Sequence, residues 1–191
     1  MKVEQFVVAY HAEQDRLRAL LPKGYESLRP VLRINAEIHD EKATYLELNT
    51  PVASQGKRGW LNIANWKEFS FSRNGKAVTF KSDFLQITFS SVGIEGGCPA
   101  EKDNDECFFI GEKTSIRLPE TIESEKEFCD CEFAWSFTSN DAHGKSIGKT
   151  LPAFPTEPKI VYKKEELSAQ NAALIPCEQV LGSYMVIFDR K

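Results

Sequence analysis

The sequence has no long apolar segment and no run of basic residues. No stretch approaches the roughly 20 apolar residues that cross a bilayer, and the opening MKVEQFVVAYHAEQD is too interrupted by charge for a signal peptide. Lysine and arginine (24) are slightly outnumbered by aspartate and glutamate (28) and are scattered along the chain. These absences argue against a membrane span and a nucleic-acid interface. We expect a cytoplasmic protein with neither a membrane nor a nucleic-acid partner.

The sequence also lacks a disulfide framework. Its five cysteines are an odd number with no regular spacing, which predicts reduced thiols. Cys129 and Cys131 flank Asp130, and on a strand both sulfurs would share one face, so a zinc site is one alternative. No second cysteine pair or paired-histidine motif accompanies them, and small apolar packing is the favoured alternative. We expect no metal and no cofactor.

The 191 residues are enough for one domain, 1–191, with its own core. Two-residue alternation dominates, and helix is scarce. Leu17, Leu20 and Leu21 form an apolar stripe on a short helix that Pro22 ends, and a second short helix is expected within 164–173. Strands are predicted at about 3–10, 31–39, 43–49, 59–66, 68–73, 76–81, 84–90, 106–117, 128–137, 158–163 and 179–189. This pattern predicts a mainly β fold, an antiparallel sheet that closes on itself or packs on another.

The segment EFSFSRNGKAVTF predicts a hairpin. Asn74 and Gly75 suit the two positive-φ positions of a type I′ turn, which would pair Phe71 with Val78. Phe69, Phe71, Val78 and Phe80 then share one face, which we expect to lie in the core.

Several strings that look like motifs lack the context those motifs need. HGKSIGKT (143–150) has no glycine six residues before either lysine, as a phosphate-binding loop requires, because those positions are Ser139 and His143. GIEGG (93–97) precedes no helical pattern, so it is not a dinucleotide fingerprint. Neither G-x-S-x-G nor H-E-x-x-H occurs. The usual nucleotide, serine-hydrolase and zinc-protease signatures are therefore absent.

The strand at 31–39 places polar side chains on one face and apolar ones on the other. Its polar residues are Arg33, Asn35, Glu37 and His39. The next strand alternates in the same way and adds Tyr45 and Glu47, while Leu46 and Leu48 point the other way. Two interpretations fit, a face exposed to solvent or the lining of a pocket in a small barrel. In the second, Glu47 faces a cavity together with Tyr45.

FVVAYHAEQDRLRALLPKGYESLRPVLRINAEIHD, followed by TYLEL, resembles the amino-terminal third of the acetoacetate decarboxylase family. The shared features are a strand, a short helix with the spacing D…LR.LLP, a turn, a strand beginning P.vr and a strand bearing a carboxylate. The closing ALIPCEQVLGSYMVIFD is similar, more weakly, to the last strand of that family. The resemblance implies a closed or nearly closed antiparallel β-barrel with one or two short helices and an internal site.

The resemblance also implies a chemistry, in which a lysine forms a Schiff base with a small keto acid. By position, the second family glutamate matches Glu47, and the first matches Asn35, with Glu37 the nearest acid on that face. The family's aromatic-Pro-Lys-Lys motif is absent. The only adjacent lysines, Lys163 and Lys164, precede two glutamates and resemble a solvated strand end.

Lys113 in CFFIGEKTSIRLPE is the nucleophile that we predict if the chemistry is kept. Alternation places it on the same face as Phe109 and Arg117, and Arg117 is a cation that would favour a neutral amine. The alternative is that Lys113 is an ordinary exposed lysine on an edge strand. Lys81, at the end of the predicted hairpin, is the second choice.

Two classes of function stay open at this point. The first is a lyase that decarboxylates or otherwise transforms a small keto acid, with Lys113 and Glu47 catalytic. Its expected substrate-binding residues are Arg33, Asn35, Glu37, Tyr45 and Arg117. The second is a non-catalytic barrel of the same fold that binds a keto acid or an apolar carboxylate. The expected partner is a small molecule in both classes, and a homo-oligomer is one alternative for the assembly.

Overall fold

The computed structural model describes residues 1–94, 107–111, 113–116, 120–122, 126–137, 148–152 and 158–190. These residues form a mainly β structure with two short helices, α1 (Gln14–Leu20) and α2 (Ala169–Ala173). The strands are β1 (Lys2–His11), β2 (Glu26–Ser27), β3 (Val31–His39), β4 (Ala43–Ser54), β5 (Lys57–Lys67), β6 (Ser70–Asn74), β7 (Ala77–Lys81), β8 (Leu85–Ile94), β9 (Cys107–Ile110), β10 (Lys113–Ile116), β11 (Glu120–Ile122), β12 (Glu127–Trp135), β13 (Gly148–Pro152), β14 (Pro158–Tyr162) and β15 (Gln179–Arg190).

The predicted fold class is confirmed, with small differences at the element boundaries. The predicted strand at 106–117 is two strands, because the chain turns at Gly111, whose φ of +60° is a glycine conformation. α1 buries Leu17 and Leu20 and ends before Pro22, as predicted. Neither helix of the described residues is long and apolar enough to span a membrane.

One sheet joins most of the strands, in the order β10-β9-β5-β4-β3-β1-β15-β12-β8-β7-β6. β11 also pairs with β15, β2 pairs with β4, and β13 and β14 form a separate hairpin. Among the strands that the structure describes, the pairing is antiparallel except between β5 and β9, which run parallel. Parallel pairing was not predicted, and it follows from the long connection between those two strands.

The run from β10 through β9, β5, β4, β3, β1 and β15 to β11 curls until its ends come together. β10 pairs with β9 at one end and β11 pairs with β15 at the other, yet only residues 117–119 join β10 to β11. Four steps along the chain span at most about 14 Å. No ladder among the described residues closes the ring. The eight strands therefore form a nearly closed barrel.

The two faces of the curled sheet carry two different cores. On one face, α1, α2, β6, β7, β8 and β12 contribute to a large apolar core. On the other face, the described residues form a smaller core whose buried members come from β1, β3, β5 and β15, including Val7, Trp60 and Tyr184. An eight-stranded barrel has room for side chains and at most one small ligand, so it cannot enclose the helices and strands of the first group. The barrel interior is the second face, which we call the concave face.

The β6–β7 hairpin forms, but its turn lies one residue later than predicted. Asn74 pairs with Ala77 and Phe71 with Phe80, so the two turn residues are Gly75 and Lys76. Gly75 has a φ of +59° and Asn74 is not left-handed, as in a type II′ turn with glycine first. Moving the turn by one residue changes the pairing register by two residues, so each side chain stays on its predicted face. Phe69, Val78 and Phe80 are buried in the large core, with Phe71 packed against them, as predicted.

The C-x-C pair lies on β12 and contributes to the large core, with Cys129 buried and Cys131 packed against it. Burial, the main cause, raises the pKa of Cys129 to about 11 and that of Cys131 to about 12. No group of three or more potential metal ligands occurs among the residues that the structure describes.

Candidate functional site

The polar side chains of β3 and β4 lie on the concave face. Register pairs Arg33 with Asn49, Asn35 with Glu47 and Glu37 with Tyr45, and paired residues project to the same side of a sheet. Arg33 and Asn35 are each 3% exposed, Glu37 1% and Glu47 8%. The interpretation as a solvent-facing surface is therefore wrong. The polar face is interior, because the sheet curls over it.

The apolar residues that alternate with this cluster lie in the other core. Leu46 and Leu48 are fully buried among residues of the large core, as predicted. The central strands are thus covered on both faces, although their sequences alternate as a half-exposed strand would. A polar face buried in this way must be hydrogen-bonded within itself.

Glu47 is the carboxyl group at the middle of the cluster. Its Oε1 accepts hydrogen bonds from Nδ2 of Asn35 (3.0 Å) and Nδ2 of Asn49 (2.9 Å), and its Oε2 accepts one from the Tyr45 hydroxyl (3.0 Å). Within the described part of the chain, no lysine or arginine nitrogen lies within 4.0 Å of it. Three neutral donors hold this side chain in one orientation.

Glu37, by contrast, is held by cations. Arg190 donates to both of its oxygens, at 2.8 and 2.9 Å, and Nε2 of His39 lies 2.7 Å from Oε2. Gln5 and Asn35 also donate to Oε1. Burial acts to raise the pKa of Glu37, but the hydrogen bonds from His39 and Arg190 and the charge of Arg190 outweigh it and hold that pKa well below the usual carboxyl value. This arrangement suits a structural ion pair between β3 and the last strand.

Tyr45 and Arg33 complete the cluster on its two sides. Burial, followed by the neighbouring Glu47, raises the pKa of the half-buried Tyr45 well above its ordinary value. Its hydroxyl therefore stays a proton donor to Glu47 across the physiological range. The Arg33 guanidinium stacks over the Trp60 ring, 4.8 Å from its centre, so the aromatic wall positions this buried cation.

Lys113 is exposed, on β10 near the end of the curled sheet. Register places it in one cross-strand row with Ile110, Asn62 and Asn49, hence on the concave side. Three strand spacings, about 14 Å, separate its Cα from that of Asn49 along a flat sheet, so only the curl of the barrel can bring its ammonium towards Glu47. Arg117 lies outside the described residues. Lys81, at the end of β7, is exposed.

Lys126 is a half-buried lysine that the sequence analysis did not select. Its Nζ lies 4.3 Å from the centre of the Tyr184 ring, and Tyr184 is a buried member of the concave-face core. Tyr184 pairs with Val7, which pairs with Asn35, so this ammonium group approaches the polar cluster from the side of β15. Nothing in the local sequence marks it, since the contact depends on long-range pairing.

The ion pair between Arg190 and Glu37 leads to a prediction on stability. We expect Arg190→Met to lower the free energy of unfolding by about 3 kcal/mol, the lower end for breaking a buried pair, because His39 still faces Glu37. Arg73→Met, which breaks the exposed pair with Glu4 at 2.8 Å, should cost less than about 1 kcal/mol. Urea denaturation of both variants at pH 7 is the measurement.

The same pair predicts how stability depends on pH. The folded-state pKa of Glu37 is depressed, so its contribution to stability is present above the ordinary value of 4.5 and is lost as the pH falls below it. The difference between the parent protein and Arg190→Met should therefore shrink between pH 5 and pH 3. A difference that is constant over this range would contradict the assigned role of Glu37.

No family model matches the sequence, and no curated protein matches it significantly. Solved structures do match, over 98% of this chain in each of three cases. Acetoacetate decarboxylase from Legionella pneumophila subsp. pneumophila str. Philadelphia 1 has a TM-score of 0.58 at 12% identity over 82% of its own chain. An acetoacetate decarboxylase-like enzyme from Sphingomonas wittichii RW1 has 0.62 at 7% over 87%. The enduracididine biosynthesis enzyme MppR, complexed with pyruvate, has 0.57 at 10% over 84%. At these identities the likeness establishes the fold.

Proposed function

We propose that this chain, which has the acetoacetate decarboxylase-like fold, is an enzyme that transforms a small keto acid inside its barrel. The observation that carries the proposal is Glu47, a buried carboxyl group on the concave face with three neutral hydrogen-bond donors. Burial of a carboxyl group costs free energy unless hydrogen bonds compensate it, and here neutral donors hold the group with no contacting cation among the described residues, which favours a chemical role. The related fold of MppR with bound pyruvate supports a short keto acid as the class of substrate.

The proposed reaction begins at a lysine. The neutral amine of Lys113 adds to the keto carbonyl of the substrate and water is lost, which gives a protonated imine. In a β-keto acid the carboxylate is attached to the carbon next to the imine carbon. As that bond breaks, carbon dioxide leaves and the bonding electrons move towards the imine to form an enamine. Glu47 then supplies a proton to carbon, and water hydrolyses the imine to release the product.

The buried cluster supplies orientation for this chemistry. The Arg33 guanidinium offers a charged, planar partner for the substrate carboxylate, and the Trp60 ring fixes its plane. Asn35 bridges Glu47 and Glu37, so its amide fixes the distance between the two acids. Tyr45 and Asn35 would therefore act by positioning Glu47 and not by direct contact with the reacting carbon.

Reductive trapping tests the proposal. Incubation with acetoacetate or pyruvate and sodium borohydride should add one substrate-derived mass per chain, because an imine is reducible and a non-covalent complex is not. Peptide mapping should place the adduct on Lys113. An adduct on Lys126 would retain the enzyme proposal and overturn the assignment of the nucleophile.

A non-catalytic binding protein is the second candidate, and one observation favours it. The side chain of Lys113 is exposed, whereas a Schiff-base lysine is usually desolvated. Saturable binding of a short keto acid, with no adduct on any lysine after borohydride treatment, would replace the enzyme proposal by this one.

A further inference from the structure

A cavity of about 660 Å³ lies beside β5, outside the buried cluster. β9 pairs with β5 from Gly59 to Asn62 only, and the chain then turns at Gly111. The next residues of β5, as far as Asn65, line the cavity instead of pairing with β9. The volume is within the range of small-molecule sites.

The apolar wall of the cavity is preformed. It includes Leu61, Ile63, Leu167 and Tyr25. The Tyr25 hydroxyl donates to the Gly111 carbonyl oxygen (3.2 Å), and its ring packs edge-to-face on Phe109 at 5.6 Å. A short aliphatic group would pack on this wall without a rearrangement of the protein.

The polar wall is fixed by a chain of side-chain amides that begins at Glu47. Asn49 donates to Glu47 (2.9 Å), Asn62 donates to Oδ1 of Asn49 (3.1 Å) and to the Ala64 carbonyl oxygen (3.2 Å), and Asn65 donates to Oδ1 of Asn62 (2.9 Å). A carboxylate and a backbone carbonyl accept but do not donate, so each amide must direct its NH2 group towards Glu47.

Two groups at the cavity are consequently ready for a ligand. Asn65 is held by its NH2 group, and within the described residues no donor contacts its Oδ1. Lys23, an exposed residue of the cavity rim, has no acid within 4.0 Å in the described part of the chain. An acceptor fixed in orientation, a cation and an apolar wall together define a ligand chemistry.

We infer that this cavity binds a small aliphatic carboxylate that carries a hydroxyl group. The carboxylate pairs with Lys23, the hydroxyl donates to Oδ1 of Asn65, and the alkyl chain packs on Leu61 and Leu167. Asn62 of the cavity wall reaches Glu47 through Asn49, and the two residues that hold the ligand, Lys23 and Asn65, have no part in the proposed reaction. The site therefore goes beyond the proposed reaction and does not depend on it.

Isothermal titration calorimetry of the full chain with 2-hydroxyhexanoate tests the inference. We expect saturable binding at one site. Hexanoate, which lacks the hydroxyl, and 1,2-hexanediol, which lacks the carboxylate, should each bind about five- to tenfold more weakly, the loss of one polar contact. Equal binding of all three compounds, or the absence of saturable binding, would overturn the inference.

Variants connect the binding to the named residues. Lys23→Ala and Asn65→Ala should each raise the Kd for 2-hydroxyhexanoate about tenfold. Lys76→Ala, at the hairpin turn and not part of the cavity, is the matched control and should leave the Kd unchanged. Binding that both cavity variants retain would place the ligand elsewhere.

Discussion

Lys113→Arg is expected to abolish both borohydride trapping and turnover of a short keto acid. Arginine keeps the positive charge, but its guanidinium stays protonated at any ordinary pH and is no nucleophile. Since Lys113 is exposed on an edge strand, the substitution should leave the thermal unfolding transition unchanged. Intact-protein mass spectrometry after reduction, together with carbon dioxide release, measures the two effects.

Two other lysine variants make this result specific. Lys81→Arg changes an exposed lysine at the end of β7 and should retain both trapping and turnover. Lys126→Arg changes the ammonium group that lies over the Tyr184 ring on the concave face. If Lys113→Arg still forms the adduct and Lys126→Arg does not, the nucleophile is Lys126.

Glu47→Gln is expected to lower kcat by about 10²- to 10⁴-fold, the usual contribution of a general acid or base. Glutamine has nearly the same shape, and its oxygen can still accept from Asn35 and Asn49. Its NH2 group faces the Tyr45 hydroxyl, which is able to accept in place of donating. The fold should therefore persist while the exchangeable proton is lost.

Steady-state kinetics and circular dichroism separate these effects. A lower kcat with a similar KM and an unchanged spectrum is the expected combination, because the lost contribution acts on the reaction and not on binding. Glu132→Gln, an exposed change on β12, is the control. A kcat within about threefold of the parent value would remove Glu47 from the mechanism, since general catalysis contributes far more.

The buried cluster shows which features of the site period-two alternation predicts and which it does not. The strand at 31–39 alternates as predicted, and the faces of Asn35 and Leu46 are as predicted too. Whether the polar face meets water depends on the curl of eight strands, which cannot be predicted from a local pattern of residues. Burial of both faces is a property of the whole sheet.

The candidate lysine, Lys113, shows what alternation alone could not predict. Alternation through 106–117 predicted that Lys113 shares a face with Phe109, and this is wrong: the chain turns at Gly111, which places Lys113 opposite Ile110 and Thr114 opposite Phe109. The exposure of Lys113 follows from its position at the end of the sheet. Lys126 reaches Tyr184 through the pairing of β12 with β15, across more than fifty residues of chain. Contacts of that range are not encoded in the spacing of nearby residues.

The sequence by itself determined the β class, both short helices, the face of each hairpin phenylalanine and the placement of Glu47 beside Tyr45, because period-two alternation and turn residues act locally. Only the tertiary structure decided that Asn74 belongs to strand β6 and that Gly75 and Lys76 form the turn, since all of β7 also pairs with β8 on its other side. It also decided that Arg190 joins Glu37 and that amides connect Glu47 to the cavity at β5. These contacts exist because strands distant in sequence lie about 5 Å apart in a curled sheet.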